Sequence, residues 1–282
     1  LSLLTYEMVN VSNFMKYLLL GATILSLFFL ALVGFSLIWW TVAICLLIFI
    51  VYVSYAHSHH TFSLFGKLKN SPKYSFFVFL VSLVFLVWGG GISGYLSEEF
   101  NLINVDVRPT LSVTMEIAKH TISESPLFGS GPRTFTFQWL AWKPNDIINT
   151  VFWNTDFSSG IGLLPTFAVT TGILGIISWL LFLGFYVYLG VKSIFANIED
   201  GFVKYLLVSS FFVSLYLWIM ALLYIPSTSI FIMTLFFTGV FFSSVYLSGI
   251  IRVENRIFGD HPKTAFLVTL FLTSAFVGVF VL

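Results

Sequence analysis

Residues 74–96 read YSFFVFLVSLVFLVWGGGISGYL, an apolar run with no charged residue in it. The hydrocarbon core of a bilayer needs about 20 consecutive apolar residues to be crossed by one helix, and a run of that length free of charge marks a membrane span. Six further stretches read the same way: about 17–34, 37–56, 161–190, 203–224, 227–249 and 264–282. The first two meet at a short turn around Gly34-Phe35-Ser36. Together they are too long for one span, so two spans are expected there, with a single broken or re-entrant element as the alternative. The fold class is therefore an all-α membrane protein of about seven transmembrane helices.

Composition agrees. The 282 residues are 58% hydrophobic and 9% charged, against roughly 25% charged in a soluble domain. Phenylalanine supplies 34 positions. Lipid tails can face such a surface; water cannot. A net charge of +1 sets up no field for nucleic acid, and no nucleic-acid motif is present. The sole cysteine, Cys45, lies in an apolar run and has no internal disulfide partner. The chain begins with Leu1, shows no signal peptide, and ends within an apolar run. It is expected to be part of a longer chain.

Basic residues set the expected orientation. Lys16, Lys67, Lys69, Lys73, Lys192, Lys204, Arg252, Arg256 and Lys263 all fall on one side of the alternating spans. Only Arg108, Lys119, Arg133 and Lys143 fall on the other. The positive-inside rule makes the first side cytoplasmic. The chain then divides into spans one to three (1–96), an extracytoplasmic loop (97–160) and spans four to seven (161–282). Trp39, Trp40, Trp88 and Trp218 suit interfacial or helix-packing positions. Gly89, Gly90, Gly91 and Gly94 are expected to allow close helix packing. His57, His59 and His60 form a short histidine-rich stretch without a nearby carboxylate or cysteine to complete a metal site. No metal is called for.

Loop 97–160 carries Glu98, Glu99, Asp106, Glu116, Glu124, Asp146 and Asp156. A connection of roughly 60 residues is functional or disordered, and its apolar and aromatic content argues against disorder. Residues 110–124 read as a surface helix, with Pro109 suited to its first turn. Leu111, Met115, Ala118 and Ile122 make its expected buried stripe, and His120 lies opposite, facing solvent. Pro126 ends the helix. Gly129-Ser130-Gly131-Pro132 then makes a tight turn that is not a Walker loop, because no Gly-Lys-Ser/Thr follows. Phe135, Phe137, Trp139, Trp142 and Trp153 follow as an aromatic patch.

The segment Ser125-Pro126-Leu127-Phe128-Gly129-Ser130-Gly131-Pro132-Arg133-Thr134-Phe135 resembles the "P-L-x-G-x-G-x-x-x-F" signature of the O-antigen ligase and polymerase family. Thr170-Thr171-Gly172-Ile173-Leu174-Gly175 resembles the "E-x-G-x-x-G" that opens that family's next membrane helix. The resemblance covers about residues 108–175 and includes the order of parts: arginine, helix, glycine turn, aromatics, glycine-containing span. It implies a GT-C-type fold in a bacterial inner (cytoplasmic) membrane, and a chain that is the C-terminal portion of a larger protein. It also implies transfer of a glycan from a polyprenyl-pyrophosphate carrier to an acceptor on the outer face, in polysaccharide or lipopolysaccharide biosynthesis. Membrane lipid, the lipid-linked glycan and its acceptor would be the partners, and no cofactor is implied. The family's His-Asn pair is not matched: its place falls on Ile161-Gly162, and neither side chain can move a proton.

Such chemistry needs cations for a departing pyrophosphate, and arginine grips oxygens in pairs. Arg108 and Arg133 are the expected donor-binding residues, with Lys143 assisting. The alternative is that they anchor the loop to headgroups or to Glu98, Glu99 or Asp106. An acceptor hydroxyl needs a base. Asp156, amid Trp153, Asn154 and Phe157, is the first candidate, and a cap of span four is its plainer role. His120 is the second. Two other functions stay open: a catalytically inactive member that binds glycan lipid, and a lipid-linked glycan transporter or flippase. The near absence of charge within the spans counts against an ion-coupled transporter.

Overall fold

A computed structural model describes residues 2–8, 12–58, 73–100, 108–144, 154–225, 227–251, 263–264, 266–268 and 270. Every regular element among them is an α-helix: α1 (Ser2–Met8), α2 (Asn13–Val33), α3 (Ser36–Ser58), α4 (Lys73–Glu99), α5 (Leu111–Glu124), α6 (Phe135–Trp142), α7 (Leu163–Ile194), α8 (Gly201–Leu223) and α9 (Thr228–Leu247). Six of these, α2, α3, α4, α7, α8 and α9, are long and apolar enough to cross a membrane. That is the make-up of an integral membrane protein in contact with lipid. The seventh expected span, 264–282, lies for the most part outside the described residues, as do His59 and His60.

The chain forms two compact units, Leu1–Val107 with Val187–Ser248, and Arg108–Tyr186 with Gly249–Leu282. In the first unit α3 packs on α4 and α8, and α8 on α9. Apolar side chains gain little by leaving lipid for protein, so ring geometry, close backbones and hydroxyl bonds must hold such helices together. Trp39 of α3 stacks on Phe85 of α4 at 4.3 Å. Phe49 meets Phe212 edge to face at 5.3 Å. Trp218 Nε1 donates to Thr238 Oγ1 at 3.0 Å, tying α8 to α9. Trp39 and Trp218 are packing residues, both buried, whereas Trp40 and Trp88 are exposed. Serines and threonines line the buried faces, and their hydroxyls return to carbonyls of their own helix, as Thr234 does to Ile230 and Ser214 to Ser210. A hydroxyl satisfied this way can be buried at little cost.

The α2–α3 connection is a true turn between two helices. Gly34 caps α2 in the left-handed region at φ 65, and a β-carbon there would run into the side chain of Ser93 on α4. This is the close approach that the glycines of α4 do not make. A β-carbon on Gly90, Gly91 or Gly94 would meet nothing within 4 Å. The packing role expected of them is corrected accordingly: those glycines sit on an open face of the helix.

Lys204, one of the basic residues of the expected cytoplasmic side, is buried at 3% exposure. Its ammonium donates to the carbonyls of Ile194 and Ala196, each at 2.7 Å. It caps the C-terminal end of α7, where a cation answers the helix dipole and the unpaired carbonyls.

Candidate functional site

The second unit is built around a break in a helix. α7 is 32 residues long but leaves helical geometry at Gly172, at φ 65 and ψ −161. An unbroken helix would pair the amides of Ile173 and Leu174 with the carbonyls four residues earlier, Val169 and Thr170. Here all four groups turn to the glycine turn instead. Ile173 N–H donates to the Pro126 carbonyl (3.0 Å) and Leu174 N–H to the Leu127 carbonyl (3.3 Å). Val169 and Thr170 carbonyls accept from the amides of Ser130 (2.9 Å) and Gly131 (3.0 Å). Ser130 Oγ adds a bond to the Val169 carbonyl at 3.0 Å, and Thr134 Oγ1 returns to the Gly131 carbonyl at 2.6 Å. Two intrahelical bonds are thus replaced by four between segments, and the four groups that the break releases are all paired. Gly129, at φ 64, lies against this break. A β-carbon on it would strike the backbone of Val169, Thr171 and Gly172.

The turn consequently has fewer amides to offer an anion. The N–H groups of Ser130 and Gly131 are engaged by α7, so charge on the turn must come from its side chains. Arg133 follows directly, exposed and held at φ 60, the one non-glycine residue in the left-handed region among the described residues. That conformation costs an L-residue roughly 1–2 kcal/mol.

Helix α5 runs over Leu111–Glu124 as expected, but starts one residue later than the proline reading implied. Thr110 is the N-cap, accepting from the Val113 amide at 3.3 Å. Pro109 therefore precedes the cap rather than opening the first turn. The buried face is also different. Thr114, Ile117, Ala118 and Thr121 are buried, whereas Leu111 is 57% and Met115 52% exposed. Ala118 holds its expected place and Ile122 packs at the margin of the core. The threonines can go inside because their hydroxyls are paired. Thr114 Oγ1 donates to the Thr110 carbonyl (2.9 Å) and accepts from the Ile161 amide (3.2 Å). Thr121 Oγ1 reaches the Ile117 carbonyl (2.9 Å) and Gln138 Oε1 (3.2 Å).

The aromatic run forms helix α6, whose Phe135 and Trp139 are buried with Ile117, Ala118, Phe157, Ala168 and Val169 in one core. Trp139 Nε1 donates to the Thr155 carbonyl at 3.1 Å and its ring meets Phe157 edge to face at 4.8 Å. Thr136 Oγ1 donates to the Phe157 carbonyl at 3.2 Å. These bonds fasten residues 155–157 along α6 and present Asp156 between them, with its carboxylate exposed. Asp156 does not cap α7, which begins at Leu163.

His120 is corrected from solvent-facing to half-buried: its ring stacks on Trp142 at 4.2 Å and 3°. Lys143, half-buried, follows Trp142 as the C-cap of α6. Arg108, also half-buried, enters just before the α5 cap. Arg133 and Asp156 share no ion pair with each other. Trp153 lies outside the described residues. The place of the His-Asn pair is occupied by backbone: Ile161 N–H is held by Thr114, and the Gly160 and Gly162 carbonyls by Thr166 Oγ1, at 3.2 and 2.8 Å. Gly160 is there for fit, since a β-carbon would collide with Thr114.

Sequence reasoning marked the turn and the glycine pair but not their interlock, nor Thr114 and Thr166. The only available signal for those threonines was their spacing of three and four from other buried positions of their helices. No protein-family model, no curated protein and no solved structure matches this chain.

Proposed function

We propose that this chain is a membrane glycosyltransferase of the O-antigen ligase and polymerase type, moving a glycan from a polyprenyl-pyrophosphate carrier to an acceptor at the outer face. One observation carries the reading. The two sequence segments that bear the resemblance, 125–135 and 170–175, are separate in the chain yet interlock at a helix break through three backbone hydrogen bonds, with a fourth to the adjoining Val169. Gly129 and Gly172, one from each segment, have a shared reason to exist, which chance similarity of two unrelated stretches would not supply.

In this reading Arg133 gives the turn its charge. Its left-handed backbone is tolerated because the interlock fixes the turn, and strain of this kind gathers at functional sites. Arg108 and Lys143 supply further cations for the pyrophosphate, and their charge-assisted bonds strengthen as the phosphate leaves. Asp156 is the candidate base and His120 the second.

A specific observation favours one alternative, an inactive member that binds glycan lipid: Ile161-Gly162 offers only backbone where the family carries its proton-transferring pair. The test is glycan transfer in membranes at matched protein levels with Arg108→Lys, Arg133→Lys and Asp156→Asn. Loss of one preorganised charge donor costs about 10²–10³ in rate, and lysine keeps the charge without the paired geometry. Near-normal transfer in both arginine variants ends the pyrophosphate reading. Binding of the lipid-linked glycan with no transfer by the parent chain decides for the inactive member.

A further inference from the structure

Helix α7 is longer than one membrane crossing requires. At 1.5 Å per residue the whole of α7 rises about 48 Å, well beyond the ~30 Å hydrocarbon core. Residues 173–194 alone rise about 33 Å, which is one crossing. Thr166, Thr170 and Thr171 precede the break; Ile173, Leu174, Ile177, Leu180 and Leu181 follow it, all exposed. A crossing made by residues 173–194 puts Gly172 at the edge of the hydrocarbon, where irregular backbone is tolerated only if other protein groups pair it. The turn supplies that pairing.

The same bonds hold the turn at this level. Pro126 and Leu127 are joined through their carbonyls to the amides of Ile173 and Leu174, the first residues of the crossing. Leu127 is 54% and Phe128 73% exposed. Two large apolar side chains thus stand exposed on a turn whose backbone is bonded to the residues where the exposed apolar run of α7 begins.

We propose that Leu127 and Phe128 are set into the bilayer at the boundary between headgroups and acyl chains, as a lipid-contacting wedge on the glycine turn. The occupant of this surface is lipid hydrocarbon, because the turn is bonded to the start of the exposed apolar run of α7, a helix long and apolar enough to span a membrane. The inference rests on the helices crossing a membrane and not on glycan transfer, so failure of the transfer assay leaves it standing.

The experiment uses the whole chain with Cys45→Ala, reconstituted in phosphatidylcholine vesicles, carrying a nitroxide label at Phe128→Cys, Leu127→Cys or, as references, Leu174→Cys and Glu124→Cys. Saturation is measured with oxygen, which concentrates in lipid, and with a neutral nickel chelate, which stays in water. Labels at 127 and 128 should be reached by oxygen in preference to nickel, as at 174 and unlike at 124. Preference for nickel at both positions overturns the proposal, as does protection from both reagents, which would mean that another protein segment covers the wedge. The unsubstituted chain gives an independent reading: an aryl diazirine partitioned into the bilayer should modify the peptide containing Leu127 and Phe128. Absence of modification there, with residues 173–181 modified, also overturns it.

Discussion

Gly129 and Gly172 stand backbone against backbone: a β-carbon on Gly172 would lie 2.5 Å from the amide nitrogen of Gly129, and one on Gly129 would lie 2.7 Å from that of Gly172. Both have positive φ. Gly129→Ala and Gly172→Ala should each destabilise the second unit by more than the ~1–3 kcal/mol that such sparsely populated backbone conformations cost an alanine by themselves, because the added methyl also pushes the segments apart. The double variant should cost clearly less than the two single costs combined, since the first substitution already breaks the shared contact. Thermal unfolding in detergent and protease cleavage within residues 126–131 measure this. Additive costs would show that the two glycines act separately.

Arg133→Gly separates shape from charge. Glycine takes φ 60 without the steric cost borne by arginine, so the variant should be as stable as the parent or more stable by about 1 kcal/mol. Transfer should nevertheless fall by about 10²–10³ if the guanidinium serves the phosphate. A stable variant with normal transfer would leave Arg133 without a role in the donor site.

Thr114→Val keeps the shape of the side chain and removes its hydroxyl. The part-buried Ile161 amide then has no acceptor there, which costs up to about 1–3 kcal/mol, the figure for a fully buried donor. Thr114→Ser keeps the oxygen and should hold that amide better despite its missing methyl. Hydrogen exchange at Ile161 distinguishes the two: fast in the valine variant, slow in the serine variant. Equal protection in both would show that the hydroxyl is not what holds the segment.

Lys204→Met keeps much of the buried stem and loses the cap on α7. Two charge-assisted bonds vanish, each worth about 1.5–3 kcal/mol, and removal of a buried charge offsets part of that. The net effect expected is a lower melting temperature in detergent, with Lys204→Arg intermediate. A melting point unchanged in the methionine variant would mean that the carbonyls of Ile194 and Ala196 are satisfied without it.

Orientation is tested at two exposed positions, Glu124 in the loop and Lys192 near the end of α7. In a Cys45→Ala background, Glu124→Cys and Lys192→Cys should react with a membrane-impermeant maleimide from opposite sides, Glu124→Cys from outside the cell. Reaction of both from one side would defeat the orientation drawn from lysine and arginine placement.

The spans α2, α3, α4, α7, α8 and α9 were legible in the sequence because crossing a bilayer demands only a long apolar run, which can be counted without knowing any contact. The extent of α5 was legible for a similar reason: Pro126 lies just beyond its end, and helices stop before proline. Its orientation was not. Leu111 and Met115 were assigned inside on the rule that apolar residues are buried, but Thr114 and Thr121 take that place once their hydroxyls find carbonyls. No pattern of single residues announces such pairing. Helix α6 was hidden by its composition, since a run such as Phe135–Trp142 reads as an aromatic patch as readily as a helix. The interlock was least visible of all. It is made by main-chain atoms, and the sequence carries only the glycines that leave room for it.

Because each of those glycines meets main chain rather than side chain, no repacking elsewhere can make room for a larger residue. Each is closed to a side chain twice over, by its own positive φ and by the main chain of the other segment, so the place where the loop meets the helix tolerates far less change than the apolar spans, where one aliphatic residue can replace another.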